Sequence, residues 1–380
     1  MSEITIARNV DFFADYRTVS ETGAVSYAAG FPSYPANFSR DTFIAGILSG
    51  HDELLYSQLC RSAENQGACT DPTTGERPGK IHHEIPGAQL AGRPGLTTYN
   101  ACDTTALFLI SAEGLRRAHD GRYAEFMGKH EASIRSAVRF MLDQIEVTEG
   151  LSWERVAPGA ERHTLRVTYW KDSILPHAGG KKQEPVYPVV YALAHFINAR
   201  GLLAGSRLLN EPELAEQADK MFRAGIGQFM GAGDFTVYRD QEGLLRQVSS
   251  DELHALAYIP AEYENKLPLA VIAERARELA TPYGYLCTPQ PVGESLPDRY
   301  HGDTVWVFEQ AMMHYGAAKF GLEEEAMVAR RIEPYINDGQ ELYGYEGGSL
   351  VPRGNSRQLW SVAAAVYFRD HSALAGDNWL

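Results

Sequence analysis

The 380-residue sequence contains no run of about 18 apolar residues, so no segment has the length to cross a bilayer as a helix. Its first residues, MSEITIARNVDFFADY, lack a basic start leading into a long apolar core, and no signal peptide is expected. Only four cysteines occur, Cys60, Cys69, Cys102 and Cys287, and no two form a CxxC. That argues against a disulfide framework or a cysteine zinc site and points to reduced thiols in a cytoplasmic protein. Basic clusters are missing as well. With a formal net charge of −14, the chain suits a neutral or cationic ligand and has little to offer nucleic acid or an anionic membrane. No GxSxG elbow, GxGxxG, Walker loop, HxxxH or HExxH is present, so a serine nucleophile, a bound nucleotide and a zincin site are not expected, and no cofactor is implied. Low-complexity segments and long linkers are absent too.

What is present is helix. Apolar residues recur at three- and four-residue spacing over 52–65, 100–118, 122–145, 187–203, 212–230, 251–259, 267–280, 304–321, 323–336 and 356–370, while strand-like alternation is rare. The runs are of two kinds. Those at 122–145, 212–230, 267–280 and 323–336 carry charge on one face. Those at 42–49, 100–115, 187–203, 304–318 and 359–367 are apolar nearly all round and must be buried on every side. The kinds alternate along the chain, as a double ring of helices requires. Six inner candidates begin near 41, 100, 186, 251, 303 and 357, and outer ones near 52, 121, 212, 267 and 323, with NVDFFADYRTV as a sixth. The expected fold is all-α, an (α/α)6 barrel of six inner and six outer helices. It forms a single catalytic domain over 1–380, with 1–27 as its least defined segment.

In such a barrel the inner helices run the same way, so the loops entering them meet at one mouth. Those loops are GFPSYPANFSRD, TTYNACD, TYWKDSILPHAGGKKQEP, RQVSSDE, DRYHGD and YGYEGGSLVPRGNSRQLW, and they are rich in Trp, Tyr, His and acids. The loops at the other end, such as ILSGHDE and KFGLEEE, are short and plain. The asymmetry marks one end as functional. Aromatics make up 11% of residues, which fits sugar stacking as well as plain core.

Glycoside hydrolysis needs two carboxyl groups flanking the bond. The mouth offers Asp41, Glu84, Asp103, Asp172, Glu184, Asp251, Asp303, Glu341 and Glu346, and spacing alone does not choose among them. Asp41, Asp103, Asp172, Asp251 and Asp303 lie near helix starts, where Asp commonly caps, and Asn100 with Asp103 has the look of a capping pair. Trp170 beside Asp172 could shield it and raise its pKa, with Lys171 opposing if it points inward. Glu341 lies in a loop loosened by Gly339, Gly344, Gly347 and Gly348. Arg40 is the cation placed to hold hydroxyls or to pair with an acid. His82 and His83 with Glu84 invite a metal reading, but adjacent residues point apart in an extended loop.

Taken together, the mouth loops resemble a known family. GFPSYPANFSRDTFIAG is similar to the aromatic segment ending in (G)RDTWI of glycogen-debranching-type amylo-α-1,6-glucosidases. TYWKDS followed by GGKKQEPVYPVVYALAHF resembles their TWMDA and GKPVEINALWYNAL, and RYHGDTVWVFE resembles YHxGTVWP. GYEGGSLVPRGNSRQLWSVAAAVYF resembles their PEL…QAWS ending. The ordered resemblance runs from about residue 28 to 368 and extends to glycosylglycerate hydrolases and neutral invertases. It implies an (α/α)6 barrel that hydrolyses glycosidic bonds with inversion. It also implies Asp172 as general acid and Glu341 as base, with Glu346 the rival, about 6.5–9.5 Å from the acid. Arg40, Asp41, Tyr99, Asp103, Trp170, Lys171, His301, Trp306, Gln358 and Trp360 would line the terminal-sugar subsite. The departures are Ser39 for the usual Gly, Lys171 for a Met-like residue, and QEPVYP displaced from VEIN. Because the chain lacks the β-rich N-terminal domain of many relatives, a smaller substrate is expected, an oligosaccharide or small glucoside.

The expected activity is therefore inverting, exo-acting hydrolysis of an α-glucosidic bond, with a carbohydrate as partner. Two alternatives stand beside it. One is a sugar 2-epimerase or isomerase on the same barrel using a His254–His301 pair for proton transfer. The other is a non-catalytic sugar-binding protein.

Overall fold

The structure is a computed structural model and describes residues 12–20, 23–87, 96–161, 165–172, 184–231, 235–289, 300–336 and 339–369. The residues beyond Asp172 in the TYWKDSILPHAGGKKQEP loop, through 183, lie outside the described residues. So do Asp298 and Arg299 of DRYHGD and the first 11 residues of the chain.

Eleven α-helices occur among the described residues: α1 Ser39–Ser49, α2 Asp52–Glu64, α3 Thr104–Ala118, α4 Asp120–Gln144, α5 Ala192–Leu209, α6 Pro212–Phe229, α7 Asp251–Ala255, α8 Leu269–Arg277, α9 Val307–Lys319, α10 Glu323–Arg330 and α11 Leu359–Arg369. The two kinds of helix separate cleanly. In α1 every residue but Ser49 is buried, and α3, α5 and α9 are nearly as enclosed. By contrast α4 and α6 keep a wet face laced with Lys129–Glu125, Arg135–Glu131 and Arg223–Asp219 pairs. The odd-numbered helices pack in a closed cycle, α1 on α3, α3 on α5, α5 on α7, α7 on α9, α9 on α11 and α11 back on α1. The even-numbered ones lie outside them, α2 on α1 and α3, α4 on α3, α6 on α5, α8 on α7 and α10 on α9. The apolar residues of both sets form one continuous core. Among the described residues no helix is long and apolar enough to cross a membrane.

Two expectations change. The segment NVDFFADYRTV does not supply a sixth outer helix in its described part. Ala14–Tyr16 is one 3₁₀ turn, and Arg17–Val19 is a strand paired with Val25–Tyr27. Phe13 and Tyr16 are buried against the core, and Thr18 and Val19 favour the extended chain that follows. Second, the inner helices are entered through short strands rather than directly. Asn37–Phe38, Val190–Tyr191, Thr304–Trp306 and Arg357–Gln358 precede α1, α5, α9 and α11. Phe38, Tyr191 and Trp306, the residues just before their helices, are extended and carry no side-chain cap.

These strands stitch the entry loops together. Asn37–Phe38 pairs with Glu84–Ile85, and Val190–Tyr191 with Thr236–Arg239. Thr304–Trp306 pairs with Leu342–Glu346, which pairs in turn with Ser349–Arg353, and Arg357–Gln358 pairs back to Gly30–Phe31. Side chains complete the circuit of helix starts, through Arg40–Asp103, Tyr169–Tyr191, Tyr169–Asp251, Ser250–Glu309, Trp306–Trp360 and Gln358–Asp41. All six entries therefore meet at one end.

Candidate active site

At that end lies a cavity of about 70 Å³ lined by Tyr34, Phe38, Arg40, Asp41, His83, Trp170, Asp172, Tyr300, His301, Trp306, Glu341, Gln358 and Trp360. The first wall is the segment before α1. Asn37 anchors it by donating to the Tyr27 carbonyl and to Gln58 Oε1, at 2.9 and 2.8 Å. The Ser39 hydroxyl donates to the His82 carbonyl, so it is spent across the loop and not as a helix cap. Tyr34 and Phe38 are thereby set at the rim, with Arg40 and Asp41 on the first turn of α1.

Arg40 is committed. Its Nε lies 2.9 and 3.0 Å from the two oxygens of Asp103, and its Nη2 donates to the Thr168 carbonyl at 2.8 Å. Asp103 stands at the N-cap of α3 without capping it, because its carboxylate serves this pair. The same holds for Asp251 in the first turn of α7, which receives Lys171 Nζ at 2.9 Å, Trp170 Nε1 at 3.3 Å and Tyr169 Oη at 3.3 Å. The capping expected of these acids gives way to ion pairing, since a buried charge left without a partner costs more than a missing cap.

Asp41 is 6% exposed and accepts from Gln358 Nε2 at 3.0 Å. Burial pushes it up to about 7, with Arg40 opposing and the charge of Glu341 adding. Glu341 is 1% exposed, with a donor on each oxygen, Tyr300 Oη at 2.5 Å and the Asn355 N–H at 2.7 Å. Burial and the charge of Asp172 raise its pKa above the usual carboxylate value, against those two donors. Gly354 has φ +70°, and a Cβ there would collide with Glu341 Oε2, so only glycine lets the loop close over this carboxylate.

Asp172 is exposed at the cavity, so the shielding expected from Trp170 does not bury it. Lys171 points the other way. It is fully buried and also meets Glu309 at 3.6 Å and Ser250 Oγ at 2.7 Å. Burial works against its charge, but Asp251 and Glu309 outweigh it and hold Lys171 above the ordinary lysine value. The back wall is aromatic. His301 stacks on Trp306 at 4.8 Å and 11°, Trp170 meets both edge-on, and Trp360 stacks on Phe308 at 4.0 Å. Among the described residues the Trp360 indole N–H is buried with no hydrogen-bond partner, a donor a ligand could use.

Of the residues picked from sequence, the cavity brings together Asp172, Glu341, Arg40, Asp41, Trp170, His301, Trp306, Gln358 and Trp360. It does not include four. Glu346 ends the strand Leu342–Glu346, exposed and paired with Arg353. Tyr99 turns away to donate to the Asn65 carbonyl at 2.8 Å. Asp103 lies behind Arg40, and Lys171 lies beneath the wall. Sequence reasoning passes over Tyr34, Phe38, His83 and Tyr300 as lining. The first two stand in the quoted GFPSYPANFSRD and Tyr300 precedes His301, so proximity to chosen residues is the available signal. The His254–His301 pair is not assembled at the cavity, because His254 packs behind Trp170, with ring centres 6.0 Å apart, and faces Glu309. His82 faces Asn37, while its neighbour His83 lines the cavity.

No protein-family profile and no curated protein matches the sequence. Solved structures do match its fold. A GH63 mannosylglycerate hydrolase from Thermus thermophilus, in complex with Tris, superposes with a TM-score of 0.65 over 90% of this chain and 96% of its own, at 14% identity. A D-mannose isomerase superposes with a TM-score of 0.57 over 95% of both chains, at 9% identity. A rhamnosidase from Klebsiella oxytoca with rhamnose bound gives 0.55 over 91% of this chain and 60% of its own, at 11% identity. At such identities the likeness is one of fold, and the fold carries hydrolases and an isomerase alike.

Proposed function

We propose that this chain is a glycoside hydrolase, an inverting and exo-acting enzyme built as a single (α/α)6-barrel domain, cleaving an α-glucosidic bond in an oligosaccharide or small glucoside. The barrel reading is supported by the closed cycle of α1, α3, α5, α7, α9 and α11. The observation that carries the function is the pair Asp172 and Glu341 on one aromatic-walled cavity, close enough for the charge of one to act on the other. Asp172 is the general acid and gives its proton to the glycosidic oxygen as the C–O bond breaks. Glu341 is the general base and takes a proton from the water whose oxygen bonds to the anomeric carbon from the opposite face. Its two fixed donors keep one carboxylate orientation. Asp41, Gln358, Trp306 and Trp360 hold the terminal sugar, and Arg40 stiffens the wall. A cytoplasmic location is part of the proposal and fits four cysteines that are all free thiols.

Asp172→Asn and Glu341→Gln are each expected to lower turnover of an α-glucoside by about 10²- to 10⁴-fold. Glu346→Gln is expected to leave it within about twofold. NMR of the first-formed sugar should show the inverted anomer. Full activity in either of the first two variants, or a retained anomer, overturns these roles.

A sugar isomerase is the second reading, favoured by His83 and His301 both lining the cavity. Burial, with Arg40 near each of them, holds both well below the ordinary histidine value, which suits a proton shuttle at neutral pH poorly. Conversion of a free aldose to its ketose or epimer by the wild type, with no glycoside cleaved, would establish that reading. Tight sugar binding with neither reaction would establish a binding protein.

A further inference from the structure

We propose that Asn355 is a positioning residue that locks Asp41 and Glu341 into one hydrogen-bonded frame, by fixing which way the Gln358 amide faces. The inference rests on the hydrolase reading for its kinetic part only. Asn355 is 1% exposed and every polar group it has is used. Its N–H donates to Glu341 Oε2 at 2.7 Å, and its carbonyl accepts from the Glu341 N–H at 2.9 Å and from Gln340 Nε2 at 3.0 Å. Its side-chain Oδ1 accepts from the Ser33 N–H at 3.1 Å, and its Nδ2 donates to Gln358 Oε1 at 2.9 Å. Gln358 Nε2 then donates to Asp41 Oδ1 at 3.0 Å.

The direction of this chain is set at one end. A backbone N–H can only donate, so the atom of Asn355 facing Ser33 is its oxygen. Its nitrogen therefore faces Gln358, which must answer with oxygen, and that leaves the Gln358 nitrogen for Asp41. Gly30 keeps the relay compact, since a Cβ there would overlap Gln358 Oε1. Asp41 Oδ1 is thus held as an acceptor.

The isosteric Asn355→Asp reverses the relay. Its carboxylate still accepts from Ser33 but now demands a donor from residue 358, turning Gln358 Oε1 onto Asp41. By ¹³C-carboxyl NMR, Asp41 should titrate about one pH unit or more higher in N355D than in wild type, and N355A should move it the same way by less. With an α-glucoside, kcat should fall about 10- to 100-fold while KM changes much less. In the wild type, which needs no variant to fold, the Gln358 side-chain amide protons should shift with the Asp41 titration. A folded N355D with Asp41 unmoved, Gln358 protons blind to Asp41, or unchanged kcat despite a moved titration would each overturn the proposal. A wild type that cleaves no glycoside overturns the hydrolase reading instead, and the titrations still judge the relay.

Discussion

Asp41 shows how a single residue trades stability for a site. Its carboxyl is raised from its ordinary value to about 7 when folded. A raised folded pKa means that its contribution is fully present below about pH 3.8 and is lost as the pH climbs through 7, because the folded state resists ionisation. Asp41→Asn removes that burden and keeps an acceptor for Gln358. The variant should melt several degrees above wild type at pH 8 and match it near pH 4, while losing most glycoside turnover. Equal melting at pH 8 would refute the argument. Glu341 is raised as well, so with the base role proposed for it the acid limb of kcat/KM is expected above the ordinary glutamate range near 4.5, which a pH–rate profile checks. Much of this site is legible in the chain: Arg40, Asp41, Trp170, Asp172, Trp306, Glu341 and Gln358 stand in loops whose composition sets them apart. The direction in which each side chain turns is not. Lys171 and Asp172 are neighbours, yet one is buried under the wall and the other faces solvent, because the two acids Lys171 answers come from α7 and α9.

Among the elements, the helices announce themselves by their period, and their inner or outer rank by whether charge occupies one face. The short strands do not. Most span two or three residues, and each is defined by a partner up to hundreds of positions away, as with Arg357–Gln358 on Gly30–Phe31. Periodicity within a window carries no trace of such pairing, so it places the starts of α5, α9 and α11 several residues early. The closest inner packing is also invisible. At Gly201 in α5 a Cβ would sit 2.6 Å from the Ala106 Cβ and 2.7 Å from its Cα in α3, so the two backbones nearly touch. Gly201→Ala gains about 0.5–1 kcal/mol of helix propensity, but overpacking against a backbone costs roughly 1–3 kcal/mol. The urea midpoint should therefore fall, and a midpoint that rises would show the helices free to separate.

At the scale of the molecule, charge is concentrated inside the ring as well as at its mouth. Glu113 of α3 is fully buried and receives Arg200 and Arg207 of α5 and Arg117 of its own helix, at 2.8, 2.9 and 2.6 Å. Burial would raise its pKa, but the three cations outweigh it and bring it down to about 2. A depressed folded pKa gives stability present above about pH 4.5 and lost as the pH falls toward 2. Glu113→Gln should flatten that acid loss. It should also cost roughly 3–5 kcal/mol at neutral pH, because Arg200 stays buried without its counter-charge. Chemical denaturation at pH 7 and pH 3 tests both, and a neutral-pH loss under about 1 kcal/mol would count against the cluster.

The ring closes where α11 returns to α1, and the bond from Gln358 to Asp41 spans 317 positions of sequence. On a ribosome, that distance is a delay. At about 5–20 residues per second the early part of the chain waits some 15–60 s for the strand that will cover Gly30–Phe31. Until then an acid bound for burial and an open sheet edge are both on display to other nascent chains. Synthesis stopped short of the last helix therefore leaves the cavity unbuilt, because its wall is made from the first loop and the last together.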